Sequence, residues 1–171
     1  MSIHTASYTL GQAAAATNLS PNTLRTWYQR GHMMLNKNDK APEAEGLARI
    51  VTGRTVLQIA ITAALVNYGM SVAQAFRAAA AFAVVGDRRD GIERDPGQLW
   101  GKGCLSMLVV PGGEAGAEHA DVVRWSPKDG FMQMVAHLNF HKTGGIMLPL
   151  DNLVDAVRKN LGLGPDRGGD A

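Results

Sequence analysis

The 171-residue sequence contains one cysteine, no run of about 18 apolar residues and no acidic residue before Asp39. With Cys104 as its single thiol, the chain forms neither an internal disulfide nor a cysteine-rich zinc site, so we expect it in a reducing cytoplasm. The sequence also lacks a cationic start followed by an apolar stretch. We therefore expect neither secretion nor a membrane span, and no membrane partner.

The charge of the chain is small but unevenly distributed. Hydrophobic residues make up 46% of the chain and charged residues 19%, which is typical of a folded globular protein. The net charge of +2 does not by itself indicate a nucleic-acid partner. Residues 1–60, however, contain six Lys or Arg against three acids, whereas the other 111 residues contain 11 basic and 12 acidic residues. The positive excess therefore lies in the first third of the chain.

The run Leu19-Ser20-Pro21-Asn22 has the features of a helix start. The Ser20 side chain can accept hydrogen bonds from free amides of the first turn, Pro21 suits the first helical position, and Leu19 can pack on Leu24. These features predict a helix over residues 21–30 that begins at a fixed position.

A second helix start lies just upstream. Thr9 and Gln12 have capping-box spacing and precede four alanines, so we predict a short helix that ends near Thr17. Residues 17–19 then join the two helices, as in a helix-turn-helix. We expect the second helix to bury Leu24 together with Trp27 or Tyr28.

The remaining side chains of the second helix are predicted to face outward. Their guanidinium, amide and hydroxyl groups are those that contact guanine, adenine and phosphates. They are Asn22, Thr23, Arg25, Thr26, Gln29 and Arg30.

Two further helices follow a polar stretch over residues 32–49. This stretch is predicted to be a loop or β-hairpin, which in a DNA-binding protein would be a wing. Thr52 is the predicted cap of a helix over residues 53–67, and the capping-box pair Ser71 and Gln74 begins a helix to about Val85.

The second half of the chain is predicted to mix strands and helices. Residues 131–141 fit both a strand and a helix, and possible caps at both ends favour a helix. The other predicted elements are a linker over 86–103, strands over 105–110, 120–125 and 146–150, a helix over 152–161 capped by Asp151, and a mobile tail over 164–171.

Several short runs of the first half form one recognisable pattern. They are YTLGQAA at 8–14, LSPNTLR at 19–25 and YGMS at 68–71, with Gly31, Gly46, Arg49, Thr52 and Leu65. With this pattern, residues 6–82 resemble the DNA-binding domain of the MerR family. The resemblance implies four helices plus a wing, a second helix in the major groove, a wing on the DNA backbone and a dimer. It assigns DNA contacts to Arg25, Trp27 and Arg49.

The sequence also departs from that family. No heptad pattern for a long dimerising helix follows Gly86, and the cysteine metal site of the metal sensors is missing. Excisionases and the small subunits of phage DNA-packaging enzymes share the same module. The resemblance therefore implies DNA binding without by itself implying regulation.

Together these observations predict an α+β protein with a winged helix-turn-helix over residues 1–85 and a small α/β domain over 104–163 for dimerisation or effector binding. We expect a dimeric transcriptional regulator that binds double-stranded DNA. Its other candidate partners are RNA polymerase and a small-molecule effector. The predicted DNA-binding residues are Ser20, Asn22, Thr23, Arg25, Thr26, Trp27, Gln29, Arg30, Lys37, Lys40, Arg49 and Arg54.

Other functions are less favoured by the residues. The alternative is an excisionase or DNA-packaging adaptor that bends or presents DNA for an enzyme. His137 and His141 have the spacing of zinc ligands but lack further ligands nearby in the sequence, and Cys104 is more typical of a buried apolar residue than of a redox sensor. With no acid–base cluster in the second half, we expect no catalytic residues, no metal and no cofactor.

Overall fold

The structure, a computed structural model, describes residues 3, 6–41, 48–89, 92–101, 103–113, 116–126, 128–130, 132 and 144–164. These residues contain both helices and small sheets, which confirms the predicted α+β class. The predicted helix over 131–141 lies outside the described residues except for Met132, as does the tail beyond residue 164.

The helices are α1 (Leu10–Ala16), α2 (Pro21–Gln29), α3 (Gly53–Asn67), α4 (Val72–Ala83) and α5 (Asp151–Asn160). The strands are β1 (Ser7–Thr9), β2 (Ile50–Thr52), β3 (Asp87–Arg89), β4 (Ile92–Arg94), β5 (Leu105–Pro111), β6 (Asp121–Trp125) and β7 (Gly145–Pro149).

The first four helices begin where local capping predicts. The hydroxyls of Thr9, Ser20, Thr52 and Ser71 each accept a hydrogen bond from the backbone N–H three residues later. Gln12 completes the capping box of α1, because its Oε1 accepts from the Thr9 N–H at 2.8 Å. These short-range bonds satisfy N–H groups that a helix cannot pair internally, so they fix each start from sequence alone.

The predicted cap of the last helix is wrong. Helix α5 begins at Asp151 itself, and the residue before it, Leu150, makes no side-chain cap bond. The Asp151 Oδ2 accepts instead from the Ser106 backbone N–H at 2.8 Å. The carboxylate therefore joins the beginning of α5 to β5, a partner 45 residues away that local spacing does not indicate.

The strands form three small antiparallel sheets. β1 pairs with β2, β3 pairs with β4, and β5 lies between β6 and β7. The pairing of β5 with β6 confirms the predicted hairpin, whereas the β3–β4 hairpin lies in the segment whose composition indicates a linker. Lys40 also forms a bridge to Ile50, so the chain leaving α2 returns beside β2.

One cluster of buried side chains extends through both halves of the chain. It includes Leu24, Leu57 and Phe82 from the first half and Leu108 and Val154 from the second. Helix α5 packs on α1 and α3, and the Asn160 Nδ2 donates to the Ala16 carbonyl at 3.0 Å. Strands β5 and β6 contact α4. The last helix and the three-stranded sheet are thus joined to the first four helices by a shared core.

No helix in the described residues has the length and apolar character needed to cross a membrane.

Candidate nucleic-acid interface

Helices α1 and α2 are joined by a short turn that fixes their relative position. Asn18 in this turn has a φ of 55°, a left-handed conformation that asparagine adopts more readily than most residues. The Leu19 N–H donates to the Ala14 carbonyl at 2.9 Å, which closes the end of α1. The side chain of Leu24 is fully buried and anchors α2 to the core.

The opposite side of α2 presents polar side chains to solvent. Asn22, Arg25, Gln29 and Arg30 are exposed, and a guanidinium nitrogen of Arg25 donates to the Asn22 side-chain oxygen at 3.2 Å. Thr23 and Thr26, also predicted to face outward, are half-buried. The Ser20 hydroxyl accepts the Thr23 N–H, so it serves primarily as a helix cap. The exposed face therefore combines amide and guanidinium groups.

Arg49 lies beside this helix, at the point where the chain returns towards β2. Its guanidinium carbon lies 4.3 Å from the centre of the Tyr28 ring, the spacing of a cation–π contact. The Tyr28 hydroxyl and the Arg49 Nε are both buried, and within the structurally described part of the chain neither has a hydrogen-bond partner. The helical pattern of the sequence predicts only that Tyr28 is a candidate core residue. No sequence spacing indicates its contact with a residue 21 positions away.

Burial raises the pKa of the Tyr28 phenol to about 12 from its ordinary value of 10.0. This value is the net result of three effects: the negative charge of Asp39 adds to the effect of burial, and the positive charge of Arg49 opposes both. In the native protein Tyr28 is therefore a neutral hydroxyl at physiological pH, with a proton available for donation.

We predict that Tyr28 makes stability fall as the pH rises from about 10 to about 12. Over this interval the unfolded chain loses the phenol proton while the native chain retains it, so deprotonation favours unfolding. An ultraviolet titration of tyrosinate, compared between the native protein and Tyr28→Phe, isolates this group. If the difference between the two titration curves is centred at the ordinary tyrosine pKa of 10.0, the buried environment of Tyr28 is contradicted.

Asp39 connects the segment after α2 to the start of α3. Its carboxylate accepts from the backbone N–H of Asn36 at 2.9 Å, the backbone N–H of Thr52 at 2.8 Å and the Thr55 hydroxyl at 2.9 Å. The Asn36 side chain donates in turn to Gln58, which reaches the Phe76 carbonyl on α4. This network ties the segment after α2 to two core helices, and so positions the residues on either side of it.

Asp39→Ala is expected to destabilise the protein by about 1.5 to 3 kcal/mol, because hydrogen bonds to a charged carboxylate are lost and partly buried donors remain unpaired. Thermal unfolding of the full chain measures the effect. Asn38→Ala is the matched control, since Asn38 is exposed and adjacent in sequence. Equal melting temperatures for the two variants would contradict the role assigned to this network.

The remaining predicted residues lie in two kinds of environment. Lys37 and Lys40 are exposed in the segment between α2 and β2, and Arg54 is partly buried in the first turn of α3. Trp27 packs against the core and lines a cavity next to α5.

In the described ranges no group of three or more His, Cys, Asp or Glu is placed to hold a metal ion. His137 and His141 lie outside those ranges.

None of the six basic residues among the first 60 has a carboxylate partner in the described parts of the chain. In later elements, by contrast, Arg77 forms an ion pair with Glu118, and Arg88 forms one with Glu93. The six residues without a described carboxylate partner are Arg25, Arg30, Lys37, Lys40, Arg49 and Arg54.

A scan against protein-family models finds no match to this chain. A search of curated proteins also finds no significant match.

Proposed function

We propose that the protein is a sequence-specific transcriptional regulator that binds double-stranded DNA through a winged helix-turn-helix formed by α1, α2 and the segment between α2 and β2. In this proposal α2 enters the major groove and Arg49, Lys37 and Lys40 contact the backbone beside it. The observation that carries the proposal is a set of six basic residues that have no carboxylate partner among the described residues. Two of them are exposed: Arg25 on the polar face of α2, and Arg30 directly after its last residue.

Unpaired cations favour a polyanionic partner for a simple energetic reason. Each Lys or Arg that neutralises a phosphate releases condensed counterions, and this release provides much of the free energy of binding DNA. Cations already paired with carboxylates would first have to break those pairs. Among the described residues, the basic side chains of the first 60 positions form no ion pair, while Arg77 and Arg88, in later elements, do.

The contact between Tyr28 and Arg49 supports a defined phosphate contact. A long arginine side chain loses conformational entropy when a phosphate fixes it in place. Because Arg49 already packs against the Tyr28 ring in the free protein, less entropy is lost when DNA binds. Within the described residues no protein group accepts a hydrogen bond from Arg49, so its terminal amino groups are available to a phosphate. Phosphate contacts of this kind set the position of α2 in the groove.

Specificity would come from α2. Arg25 can donate two hydrogen bonds to one guanine, and Asn22 or Gln29 can pair with adenine. In the free protein the contact of Arg25 with Asn22 holds these two side chains together on the exposed face. Two copies of the chain would present two such helices to a two-fold DNA site.

Selection from a pool of random DNA duplexes with the full chain tests this proposal. We expect enrichment of a defined sequence, and we expect Arg25→Ala to lose that enrichment. Arg88→Ala is the matched control, because Arg88 is an exposed arginine in the distant β3–β4 hairpin. A pool that is unchanged after several rounds, with a folded protein, would contradict the proposal.

A further inference from the structure

A cavity of about 420 Å³ lies between the α1–α2 turn and helices α2, α3 and α5. We propose that it binds an uncharged, planar heteroaromatic molecule that carries a hydrogen-bond donor next to an acceptor. The residues that define its chemistry are Trp27, Asn18, Asn67, Asn160, Ala64 and Leu153. The proposal concerns binding in this cavity and does not depend on the proposed DNA-binding function.

The size and walls of the cavity fit a small ring compound. Its volume falls within the range of about 300 to 1,000 Å³ typical of small-molecule sites. Alanines from α3 and α5 leave room between the helices, and Leu153 adds apolar surface. Trp27 supplies an indole ring that can pack on another aromatic ring.

The lining of the cavity offers no charged side chain to an ionic ligand. None of the residues around the cavity is Asp, Glu, Lys, Arg or His. A carboxylate or ammonium group would find no opposite charge there, and any part of it placed against the apolar wall would lose hydration without compensation. We therefore infer that the ligand is neutral at physiological pH.

Three asparagine amides provide the polar part of the site. The Nδ2 of Asn160 already donates to the Ala16 carbonyl, but among the described residues no group donates to its Oδ1. The side chains of Asn18 and Asn67 form no hydrogen bonds with other described groups. A carboxamide presents a donor and an acceptor side by side, which is the pattern that matches a ring with adjacent N–H and nitrogen acceptor atoms.

The probe that tests this chemistry is 7-azaindole, a neutral bicyclic ring with an N–H next to a ring nitrogen. Indole is the matched compound that lacks the ring acceptor. Both are titrated into the full-length protein while the Trp27 Nε1–H resonance, assigned through Trp27→Phe, is followed by NMR. We expect a saturable shift with 7-azaindole and an affinity for indole that is about threefold to tenfold lower, corresponding to one net hydrogen bond.

Two variants locate the binding in the cavity. Ala64→Leu fills part of the space and is expected to abolish the shift, whereas Ala73→Leu makes the same change on α4, outside the lining, and is expected to retain it. Should Ala64→Leu not fold, intermolecular NOEs from 7-azaindole to the Ala64 and Ala156 methyls of the native protein locate the probe directly.

Several results would overturn the inference. They are a Trp27 resonance that does not shift up to the solubility limit of the probe, equal affinities for the two compounds, binding retained by a folded Ala64→Leu variant, and NOEs that place the probe elsewhere. Because no DNA is present, failure here leaves the DNA-binding proposal untouched, and failure of duplex selection leaves this inference untouched.

Discussion

Arg94→Ala is expected to lower the free energy of unfolding by about 3 to 5 kcal/mol, the largest single-residue effect on stability that we predict. Arg94 is buried, and its guanidinium donates to carbonyls at the end of α4. The distances are 3.2 Å to Ala81, 3.4 Å to Phe82 and 2.8 Å to Val85. A helix cannot pair its last carbonyls internally, so the alanine variant would remove the donor to the partly buried Ala81 and Val85 carbonyls, whereas the Phe82 carbonyl would keep the Gly97 N–H at 2.7 Å.

The surroundings of Arg94 explain why no other residue replaces it easily. Its guanidinium carbon lies 5.5 Å from the centre of the Phe82 ring and 5.7 Å from that of Trp100, and the same group reaches the Gln98 carbonyl. Arg94→Lys is expected to lose much of this stability as well, because an ammonium cannot span carbonyls that a planar guanidinium can.

Urea unfolding followed by circular dichroism measures the effect. Arg88→Ala is the control, since Arg88 lies on the same hairpin with its side chain 84% exposed and is expected to change stability by less than about 0.5 kcal/mol. Comparable unfolding midpoints for Arg94→Ala and Arg88→Ala would show that the buried guanidinium does not hold the end of α4.

Arg25→Ala is expected to weaken binding to the selected DNA sequence by about 1 to 3 kcal/mol, or about 5- to 150-fold, with a smaller loss on random DNA. The variant removes a pair of donors that can contact one guanine. Lys37→Ala should instead weaken binding to both sequences by a similar factor, because phosphate contacts are independent of sequence.

Fluorescence anisotropy of the native protein and the two variants, each with the selected and the random duplex, gives the six affinities. Circular dichroism of each variant confirms that it is folded, and Leu24→Ala provides the contrasting case of a buried side chain whose loss lowers stability. Unchanged binding of the selected sequence by a folded Arg25→Ala variant would mean that α2 is not the specificity helix.

The parts of the fold that sequence predicts well are those determined by neighbouring residues. The starts of α1 to α4 depend on a hydroxyl three residues before an amide, and all four are placed correctly. Strands β5, β6 and β7 follow short apolar runs and lie within a residue or two of their predicted ranges.

The parts that sequence misses depend on distant partners. Asp151 follows the pattern of a helix cap, yet its carboxylate is used by the Ser106 N–H. Arg94 lies in a segment rich in charge, glycine and proline, and its burial depends on carbonyls of α4 that only the folded chain brings near. At the candidate interface, the residues exposed on α2 follow helical spacing, whereas the contact between Tyr28 and Arg49 requires the chain after α2 to return beside that helix.

The salt dependence of duplex binding by the full chain tests the central claim most directly. The proposal predicts that the logarithm of the affinity falls linearly with the logarithm of salt concentration, with nearly one unit of slope for each phosphate contact. Arg49→Ala and Lys37→Ala should each reduce the slope by about one unit, while Arg88→Ala should leave it unchanged. An affinity that is independent of salt, or a folded chain that binds no duplex at low salt, would contradict the DNA-binding function.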